Sequence, residues 1–330
     1  MNQNFVHFIG NYVGKKLAVA VSGGIDSVCL LHWMHNVGMD ITALHVNHRL
    51  RPSADLETQY VQDLCKSLNV PCQVFFWDDD KPTSGLEAAA RDARYNMMIN
   101  WCKQNNIEAL AVAHQADDQI ETFLMNLARG SGVTGLAAMR DVSMRNGVKI
   151  IRPLLKVYRS ELQKYCDDNN IKYFHDEMNF DPHYTRVKIR QNRHLLRDAL
   201  GIRDDRIMLA IENLGRARDA LDNDINWRIE SVIDGNEAFF SCSFLFDPAP
   251  DISLKFLGRL IQKIGGNDYQ PRLKSLNLAL NKLHSDCKFT LGHCTVRRLG
   301  DEILIVSEGN RSSFRKRHEK QKKRIKQKSN

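Results

Sequence analysis

Residues 17–27 read LAVAVSGGIDS, an apolar run that passes directly into a glycine-rich turn. The run Leu17–Val21 is typical of a buried strand, and helical periodicity follows the turn Ser22–Ser27. Gly23 and Gly24 can adopt positive φ and let the backbone approach a ligand closely, while free N–H groups at a helix start attract an anion. The stretch predicts a strand, a phosphate-binding turn and a helix; a turn that only caps the helix is the alternative.

The side chains of this turn add further chemistry. The hydroxyl groups of Ser22 and Ser27 are hydrogen-bond donors, and the carboxylate of Asp26 can hold a divalent cation between phosphates or order the turn by capping. No lysine follows Gly24, so the loop differs from the Gly-Lys-Ser/Thr loop of most nucleotide hydrolases.

The alternation of apolar runs and amphipathic segments continues on both sides of the turn. Strands are predicted at 15–22, 41–48, 72–78, 107–114 and 149–152, and helices at 26–38, 53–69, 85–105, 116–129 and 159–170. Because the strands are largely apolar, helices are expected on both faces of the sheet. The pattern predicts an α/β fold with a doubly wound parallel sheet.

The pattern changes after about residue 205. A charged helical segment precedes two amphipathic helices near 251–264 and 271–284 and a hairpin-like region with turns at Gly292 and Gly300. We therefore expect a catalytic domain, a helical linker, a small α+β domain and a basic disordered tail, at 1–215, 216–235, 236–310 and 311–330.

Charge and composition limit the function classes. The hydrophobic content of 43% excludes a fully disordered chain, and the apolar runs are too short to span a membrane. The net charge is +8, and residues 311–330 hold ten Lys or Arg and one Glu, which is typical of a nucleic-acid-binding tail. Eight cysteines without a Cys-x-x-Cys pair, and no secretory signal, predict reduced thiols and a cytoplasmic protein.

Polar residues also follow the second and fourth predicted strands. The first group is His45–Arg51, and because strand ends line the ligand crevice of open α/β sheets, we assign His48 to nucleotide binding. Hydrogen bonding within the strand end is the alternative. The second group is His114–Thr122, in which Asp118 and Glu121 share one helix face and can clamp a cation or an ammonium group. Stabilisation of the helix dipole is the alternative there.

Two helical segments carry arginines that can reach phosphates. Arg91 and Arg94 lie three residues apart on the third predicted helix. Basic and apolar residues alternate from Tyr184 onward, as in a helix with one packed face and one face toward nucleic acid. The candidate contacts on that second helix are Arg186, Lys188, Arg190 and Arg193. A solvated, ion-paired helix face is the alternative for both segments.

As an ordered set, these motifs resemble the tRNA(Ile)-lysidine synthase family of the ATP pyrophosphatase superfamily. The resemblance covers residues 15–200 and includes, besides the segments above, Gly85–Tyr95, Arg129–Gly132 and Arg152–Leu155. It implies an adenine nucleotide alpha hydrolase-like sheet and a ligase that forms a carbon–nitrogen bond. The segment around Phe289–Cys294 resembles the following small domain of some members more loosely.

The resemblance implies a reaction and a set of roles. ATP would adenylate the wobble cytidine of the isoleucine tRNA with a CAU anticodon, and free lysine would then displace AMP. Asp118 and Glu121 would bind lysine, Asp26 would also position Mg²⁺, and these three carboxylates are the catalytic candidates. The residues implied in ATP binding are Ser22, Gly23, Gly24, Ile25, Asp26, Ser27 and His48. A homodimer is a family-level expectation.

The chain departs from the family pattern at two positions. Val187 stands where the family usually has Asn, and Gln115 stands where members often have a second His. We therefore expect no amide contact from position 187 and no proton transfer at position 115.

Three other classes of protein compete with this interpretation. A sulfur-transfer enzyme of the same superfamily would need reactive or cluster-binding cysteines near the site. NAD and GMP synthetases share the pyrophosphate loop but explain neither His114–Thr122 nor the basic helix. A non-catalytic RNA-binding protein would be expected to lack Asp26 or Glu121, and both are present.

Overall fold

A computed structural model describes residues 2–50, 54–79, 81–82, 84–174, 185–267, 269–285 and 287–308. The chain forms two compact units, which divide in sequence between Arg216 and Ala217. The basic tail at 311–330, Arg51 and Tyr184 lie outside the described residues. The division into four segments at 215, 235 and 310 stays a prediction.

The first unit is built on a six-stranded sheet. Its strands are β1 (Leu17–Ala20), β2 (Ile41–Asn47), β3 (Cys72–Phe76), β4 (Ala109–Ala111), β5 (Val142–Arg145) and β6 (Val148–Ile151). They lie in the order β3-β2-β1-β4-β6-β5, and every neighbouring pair is parallel except β5 and β6. The predicted α/β fold with a parallel sheet is confirmed.

The antiparallel edge strand β5 was not predicted from the sequence. It pairs with β6 through the two-residue turn Asn146-Gly147, and both turn residues have positive φ. Asn-Gly is the turn that best matches the twist of such a hairpin. The turn was therefore the available signal, since β5 itself alternates between exposed and half-buried positions and has no apolar run.

Helices cover both faces of the sheet, as the apolar strands predict. The helices that begin within the first unit are α1 (Gln3–Gly10), α2 (Ile25–Asn36), α3 (Ala54–Ser67), α4 (Leu86–Gln104), α5 (Ala116–Ala128), α6 (Val133–Leu136), α7 (Arg159–Asp168), α8 (Thr185–Leu200) and α9 (Asp204–Val232). Leu17 and Val19 of β1 face a core shared with α1, α2, α3 and α7. Ala18 faces the opposite core, where α4 contributes Tyr95 and Met98.

The second unit has a five-stranded antiparallel sheet with helices beside it. Its strands are β7 (Ile233–Asp234), β8 (Glu237–Ser241), β9 (Lys288–Leu291), β10 (Cys294–Leu299) and β11 (Glu302–Ser307), in the order β7-β8-β11-β10-β9. Its helices after α9 are α10 (Cys242–Phe246), α11 (Pro250–Gly265) and α12 (Leu273–His284). The predicted turns at Gly292 and Gly300 are confirmed, and both glycines have positive φ.

The cysteines form no disulfide among the described residues. All eight cysteines are free, and five of them are buried. Within the described ranges, no group of three or more His, Cys, Asp or Glu side chains is arranged to hold a metal ion. No helix among the described residues has both the length and the hydrophobicity that a membrane span requires.

Candidate active site

The glycine-rich turn joins β1 to α2, as the sequence predicts. Gly23 has a φ of +92°, which a side chain would strain, and Gly24 is the N-cap of α2. The Ser27 hydroxyl donates to the Gly24 carbonyl oxygen (2.9 Å) and accepts from the Ser22 amide (3.1 Å). Ser27 therefore holds the shape of the turn, whereas Ser22 lies exposed at its surface.

Asp26 lies in the first turn of α2. Its Oδ1 atom is buried and has no hydrogen-bond partner among the described residues. Burial raises the pKa of Asp26 to about 6; nearby Arg159 opposes this shift and Asp118 adds to it. An ionised carboxylate in this position is costly unless a cation or donor reaches it. The side chain therefore fits a cation site, since carboxylate oxygens are preferred ligands of Mg²⁺.

The turn is braced by a segment that sequence reasoning did not connect to it. Phe174 donates its amide hydrogen to the Gly23 carbonyl oxygen (2.9 Å) and forms a parallel bridge with Gly24. Its ring packs edge-on against Tyr60 of α3, at 5.3 Å between centroids. No sequence signal identifies this contact, because it joins residues 150 positions apart.

At the end of β2, two buried side chains tie the strand to its neighbours. His45 contacts the Val21 carbonyl oxygen through Nδ1 (2.8 Å) and the Thr58 hydroxyl through Nε2 (3.0 Å). Asn47 donates to Thr58 (3.1 Å) and Asp55 (2.8 Å) of α3. Burial lowers the pKa of His45, which favours the neutral ring. For His45 and Asn47 the alternative of strand-end hydrogen bonding is therefore confirmed.

His48 is the first residue after β2. It is half-buried, and its ring meets Trp77 edge-on at 5.9 Å between centroids. The contact with Trp77 covers one side of the His48 ring. Its assignment to ATP binding stays a prediction.

The first turn of α5 is ordered by a capping box. The amide of Gln115 donates to Asp118 Oδ2 (3.1 Å), and the amide of Asp117 donates to Gln115 Oε1 (2.5 Å). Gln115 is buried, and its side chain caps the helix. Gln115 therefore has a structural role at the start of α5.

Glu121 lies one turn further along α5 and is fully buried, with a side-chain exposure of 0%. Its Oε1 accepts a hydrogen bond from Arg190 Nε of α8 (2.8 Å), while its buried Oε2 has no partner within the described parts of the chain. Burial raises the pKa of Glu121, and Arg190 opposes that shift. Burial also raises the pKa of Asp118. The predicted ammonium clamp thus pairs the half-buried Asp118 with the buried Glu121, which already has a guanidinium partner.

The other acidic residue of this turn, Asp117, received no role in the sequence analysis. Its Oδ1 accepts a hydrogen bond from Arg193 (2.6 Å), and its Oδ2 accepts one from the amide of Arg159 at the start of α7 (2.9 Å). Arg193 also lies 3.2 Å from Asp204 at the start of α9. Asp117 therefore joins α5 to both α7 and α8.

Three of the four basic candidates on α8 lie against α5. Besides the two ion pairs above, Arg186 Nη2 is 3.4 Å from the Thr122 hydroxyl. Lys188 is exposed, and Val187 is buried. The sequence contained a signal for this contact between α5 and α8. Acids four residues apart on α5 match arginines three to four residues apart on α8, so each set lies on one face of its helix. Contact of these residues with tRNA stays a prediction.

The arginines of α4 have a different environment. Arg91 and Arg94 lie 5.4 and 5.5 Å from the ring centroid of Tyr95, and Arg145 of β5 lies 4.3 Å from the same ring. Arg145 pairs with Asp92 (2.6 Å). Among the described residues, no carboxylate forms an ion pair with Arg91 or Arg94. These arginines thus form an electropositive group around one aromatic ring.

Three buried nitrogens of this region have no hydrogen-bond partner among the residues that the structure describes. They are Arg94 Nε, Arg152 Nε and His114 Nδ1. Burial and the neighbouring arginines, Arg152 first among them, lower the pKa of His114 to about 3, so the ring is neutral. Sequence reasoning quoted His114 and Arg152 within motifs but assigned them no role. Donors and cations gathered in this way suit an anionic ligand.

The chain is similar in sequence to a PP-loop family model and to tRNA(Ile)-lysidine synthases of several bacteria. The family model for the PP-loop domain matches residues 1–195. A tRNA(Ile)-lysidine synthase from Wolbachia pipientis wMel is 36% identical over 324 residues, which cover 94% of this chain and 74% of that protein. The tRNA(Ile)-lysidine synthase of Rickettsia akari (strain Hartford) is 33% identical over 318 residues, covering 92% of this chain and 72% of that protein.

A solved structure supports the fold alone. The U34-tRNA thiolase NcsA from Methanococcus maripaludis, with its 4Fe-4S cluster, has a TM-score of 0.53 at 16% identity, over 65% of this chain and 77% of that chain. The sequence matches are far closer and extend beyond the catalytic unit. The chain therefore belongs to the tRNA(Ile)-lysidine synthase family of PP-loop proteins.

Proposed function

We propose that this chain uses ATP to join free lysine to C2 of the wobble cytidine in the isoleucine tRNA that carries a CAU anticodon. The product, lysidine, pairs with A, so the tRNA reads AUA instead of AUG. The observation that carries the proposal is the group of carboxylates at Asp26, Asp118 and Glu121, of which Glu121 is buried and the other two are half-buried, in a chain of this family. As a ligase, the enzyme would release AMP and pyrophosphate.

The first step is the adenylation of the cytidine. Its C2 oxygen attacks the α-phosphorus of ATP, the bond to the β-phosphate oxygen breaks, and pyrophosphate leaves. The turn Ser22–Ser27 would hold the phosphates through backbone N–H groups at the start of α2, with His48 as a further nucleotide contact. These donors are in place before the reaction because Ser27 fixes the turn from within.

The second step transfers the lysine. Its side-chain amine attacks C2, the bond between C2 and the adenylate oxygen breaks, and AMP leaves while the amine loses a proton. Asp118 and Glu121 would hold the amine, since an ammonium group offsets the cost of burying two carboxylates. We propose that one of these two carboxylates takes a proton from the bound ammonium group, which gives the free amine that attacks C2.

Asp26 is the residue that would hold Mg²⁺. Its buried Oδ1 without a partner supports this assignment. A bound Mg²⁺ would offset the negative charge that develops on the α-phosphate and pyrophosphate. Asp26 itself lies in the first turn of α2, next to the turn that is proposed to hold the phosphates.

Several basic residues are proposed to bind the tRNA. Arg91 and Arg94 have no carboxylate partner among the described residues and Lys188 is exposed, so their charges remain available to phosphates. Arg190 and Arg193 contribute less charge, because each pairs with a carboxylate of α5, whereas Arg186 meets only the Thr122 hydroxyl there. The small domain at 236–310 and the basic tail at 311–330 are further proposed contacts, and a homodimer stays a prediction.

A labelling assay tests the reaction directly. The purified chain is incubated with ATP, Mg²⁺, radiolabelled lysine and a transcript of the CAU isoleucine tRNA, and acid-insoluble label is counted. An elongator methionine tRNA serves as the control. Label on the isoleucine tRNA alone is the expected result. Release of pyrophosphate without label would overturn the lysine assignment and favour sulfur transfer or another amine.

A further inference from the structure

Arg190 of α8 pairs with Glu121, one of the two carboxylates of the proposed lysine site. Its guanidinium is about one-third exposed, with a side-chain exposure of 32%, whereas its partner Glu121 is at 0%. The bond runs from Nε to Oε1 at 2.8 Å. The contact therefore engages one oxygen of Glu121 and leaves the other, Oε2, without a partner in the described residues.

The second carboxylate of the site is engaged in a similar way. Asp118 accepts the Gln115 amide through Oδ2, as part of the capping box of α5. Each carboxylate thus has one oxygen held by the protein. With Arg190 included, the group of two carboxylates and one guanidinium has a net charge of −1 when all are ionised, which one ammonium ion balances.

We propose that Arg190 is a positioning residue for the lysine amine: it holds Glu121 through Oε1 and directs Oε2 toward the substrate. This inference rests on the proposed function and assigns Arg190 to the lysine site, in place of the phosphate contact that the sequence predicts. A guanidinium suits the task because its Nε–H is rigidly oriented, whereas the ammonium group of a lysine rotates.

The simpler explanation is that Arg190 only attaches α8 to α5. That attachment has other supports: Arg193 pairs with Asp117 at 2.6 Å, and Val187 of α8 is buried. Arg186 also contacts Thr122. Loss of Arg190 alone should therefore leave α8 docked, which makes its effect on lysine binding measurable in a folded enzyme.

The test compares Arg190→Gln with Arg190→Lys in the full chain. Steady-state kinetics give KM for lysine and KM for the tRNA separately, with pyrophosphate release as a measure of adenylation. We expect Arg190→Gln to raise the lysine KM about 10–100-fold, as for loss of a hydrogen bond to a charged group, with tRNA KM changed less than about threefold. Arg190→Lys should restore part of the lysine affinity.

Arg197→Gln is the matched control, since it removes the same charge from an exposed position of the same helix. An unchanged lysine KM with a raised tRNA KM in Arg190→Gln would overturn the inference and identify a phosphate contact. If Arg190→Gln does not fold, Arg190→Lys decides, because a lysine KM equal to wild type would also overturn it. Failure of the wild-type enzyme to incorporate lysine would instead contradict the proposed function.

Discussion

The helices α8 and α4 both carry arginines on one face, yet their surroundings differ. On α8, Arg190 and Arg193 form ion pairs with carboxylates of α5. On α4, Arg91 and Arg94 gather around Tyr95 and have no carboxylate partner in the described part of the chain. The same sequence signal thus leads to a paired interface in one helix and to an unpaired electropositive surface in the other.

The difference distinguishes two uses of buried charge. A paired charge is stabilised by its partner and helps to join helices. Removal of one partner leaves the other as a buried charge without compensation, which lowers the stability of the fold. A buried polar atom without a partner costs free energy until something binds it. Asp26 Oδ1 and Arg94 Nε belong to the second kind, so they mark where substrate atoms are expected.

The largest effect is expected at Asp26. Asp26→Asn should reduce pyrophosphate release about 10²–10³-fold, as for loss of one electrostatic catalytic group. Without Mg²⁺ and above pH 6, it should also increase the free energy of unfolding, on the order of 3 kcal/mol. The reason is that burial raises the pKa of Asp26 from its ordinary value of 3.8 to about 6, so ionisation opposes folding.

The sign of this pH dependence follows from the raised pKa. The gain in Asp26→Asn is full well above pH 6, shrinks as the pH falls from 6 toward 3.8, and is lost below 3.8, where the wild-type carboxyl is protonated in both the folded and the unfolded state. Urea unfolding at several pH values measures it, with the exposed Asp40→Asn as control. Equal stability of wild type and Asp26→Asn at pH 8 would show that Asp26 has a partner.

Glu121→Gln should have the next largest effect. It removes the charge that the amine requires and leaves Arg190 without its carboxylate, so we expect the lysine KM to rise about 10–100-fold. ATP binding should be unaffected. Kinetics at varied lysine concentration, with the exposed Glu87→Gln as control, measure the change. An unaltered lysine KM would count against the ammonium clamp.

Asp117→Asn tests the paired interface. Asp117 bonds both Arg193 and the amide of Arg159, so its loss should lower the free energy of unfolding by about 1–3 kcal/mol. The comparison variant is Asp198→Asn, which breaks an exposed ion pair with Arg197 and should cost less than about 1 kcal/mol. Equal costs in urea unfolding would mean that burial does not strengthen the α5–α8 contact.

The smallest effect concerns the unpaired arginines. Arg91→Gln should reduce the slope of log K against log salt for tRNA binding by about 0.7–0.9, the value for one phosphate contact. Arg193→Gln should reduce it less, since Asp117 already neutralises Arg193. Filter binding at several salt concentrations compares them, with Arg197→Gln as reference. Identical slopes for Arg91→Gln and wild type would exclude a phosphate contact at Arg91.

Much of the first unit could be predicted from periodicity. The strands and helices around the turn Ser22–Ser27 were found within a few residues, because buried parallel strands and amphipathic helices have strong hydrophobic patterns. The edge strand β5 and the helix α1 were not predicted. β5 has no apolar run, and its pairing with β6 depends on the turn at Asn146-Gly147.

The sequence predicted some residues of the candidate site but not the contacts between segments that are distant along the chain. The spacing of Asp118 and Glu121 placed both on one face of α5, because side chains three residues apart on a helix are neighbours. The roles of Asp117, His45 and Phe174 depend on partners that are distant in sequence, at Arg193, Val21 and Gly23. Periodicity within one segment contains no information about such partners.

The sequence by itself determined the α/β class, the glycine-rich turn between β1 and α2, the carboxylate pair on α5 and the family, because each depends on local spacing and on the order of motifs along the chain. Only the tertiary structure decided which charges are paired. Arg190 and Arg94 are both helical arginines, but only the first meets a carboxylate among the described residues. Electrostatic interactions depend on distance and burial in space, and these are set by how helices pack around the sheet.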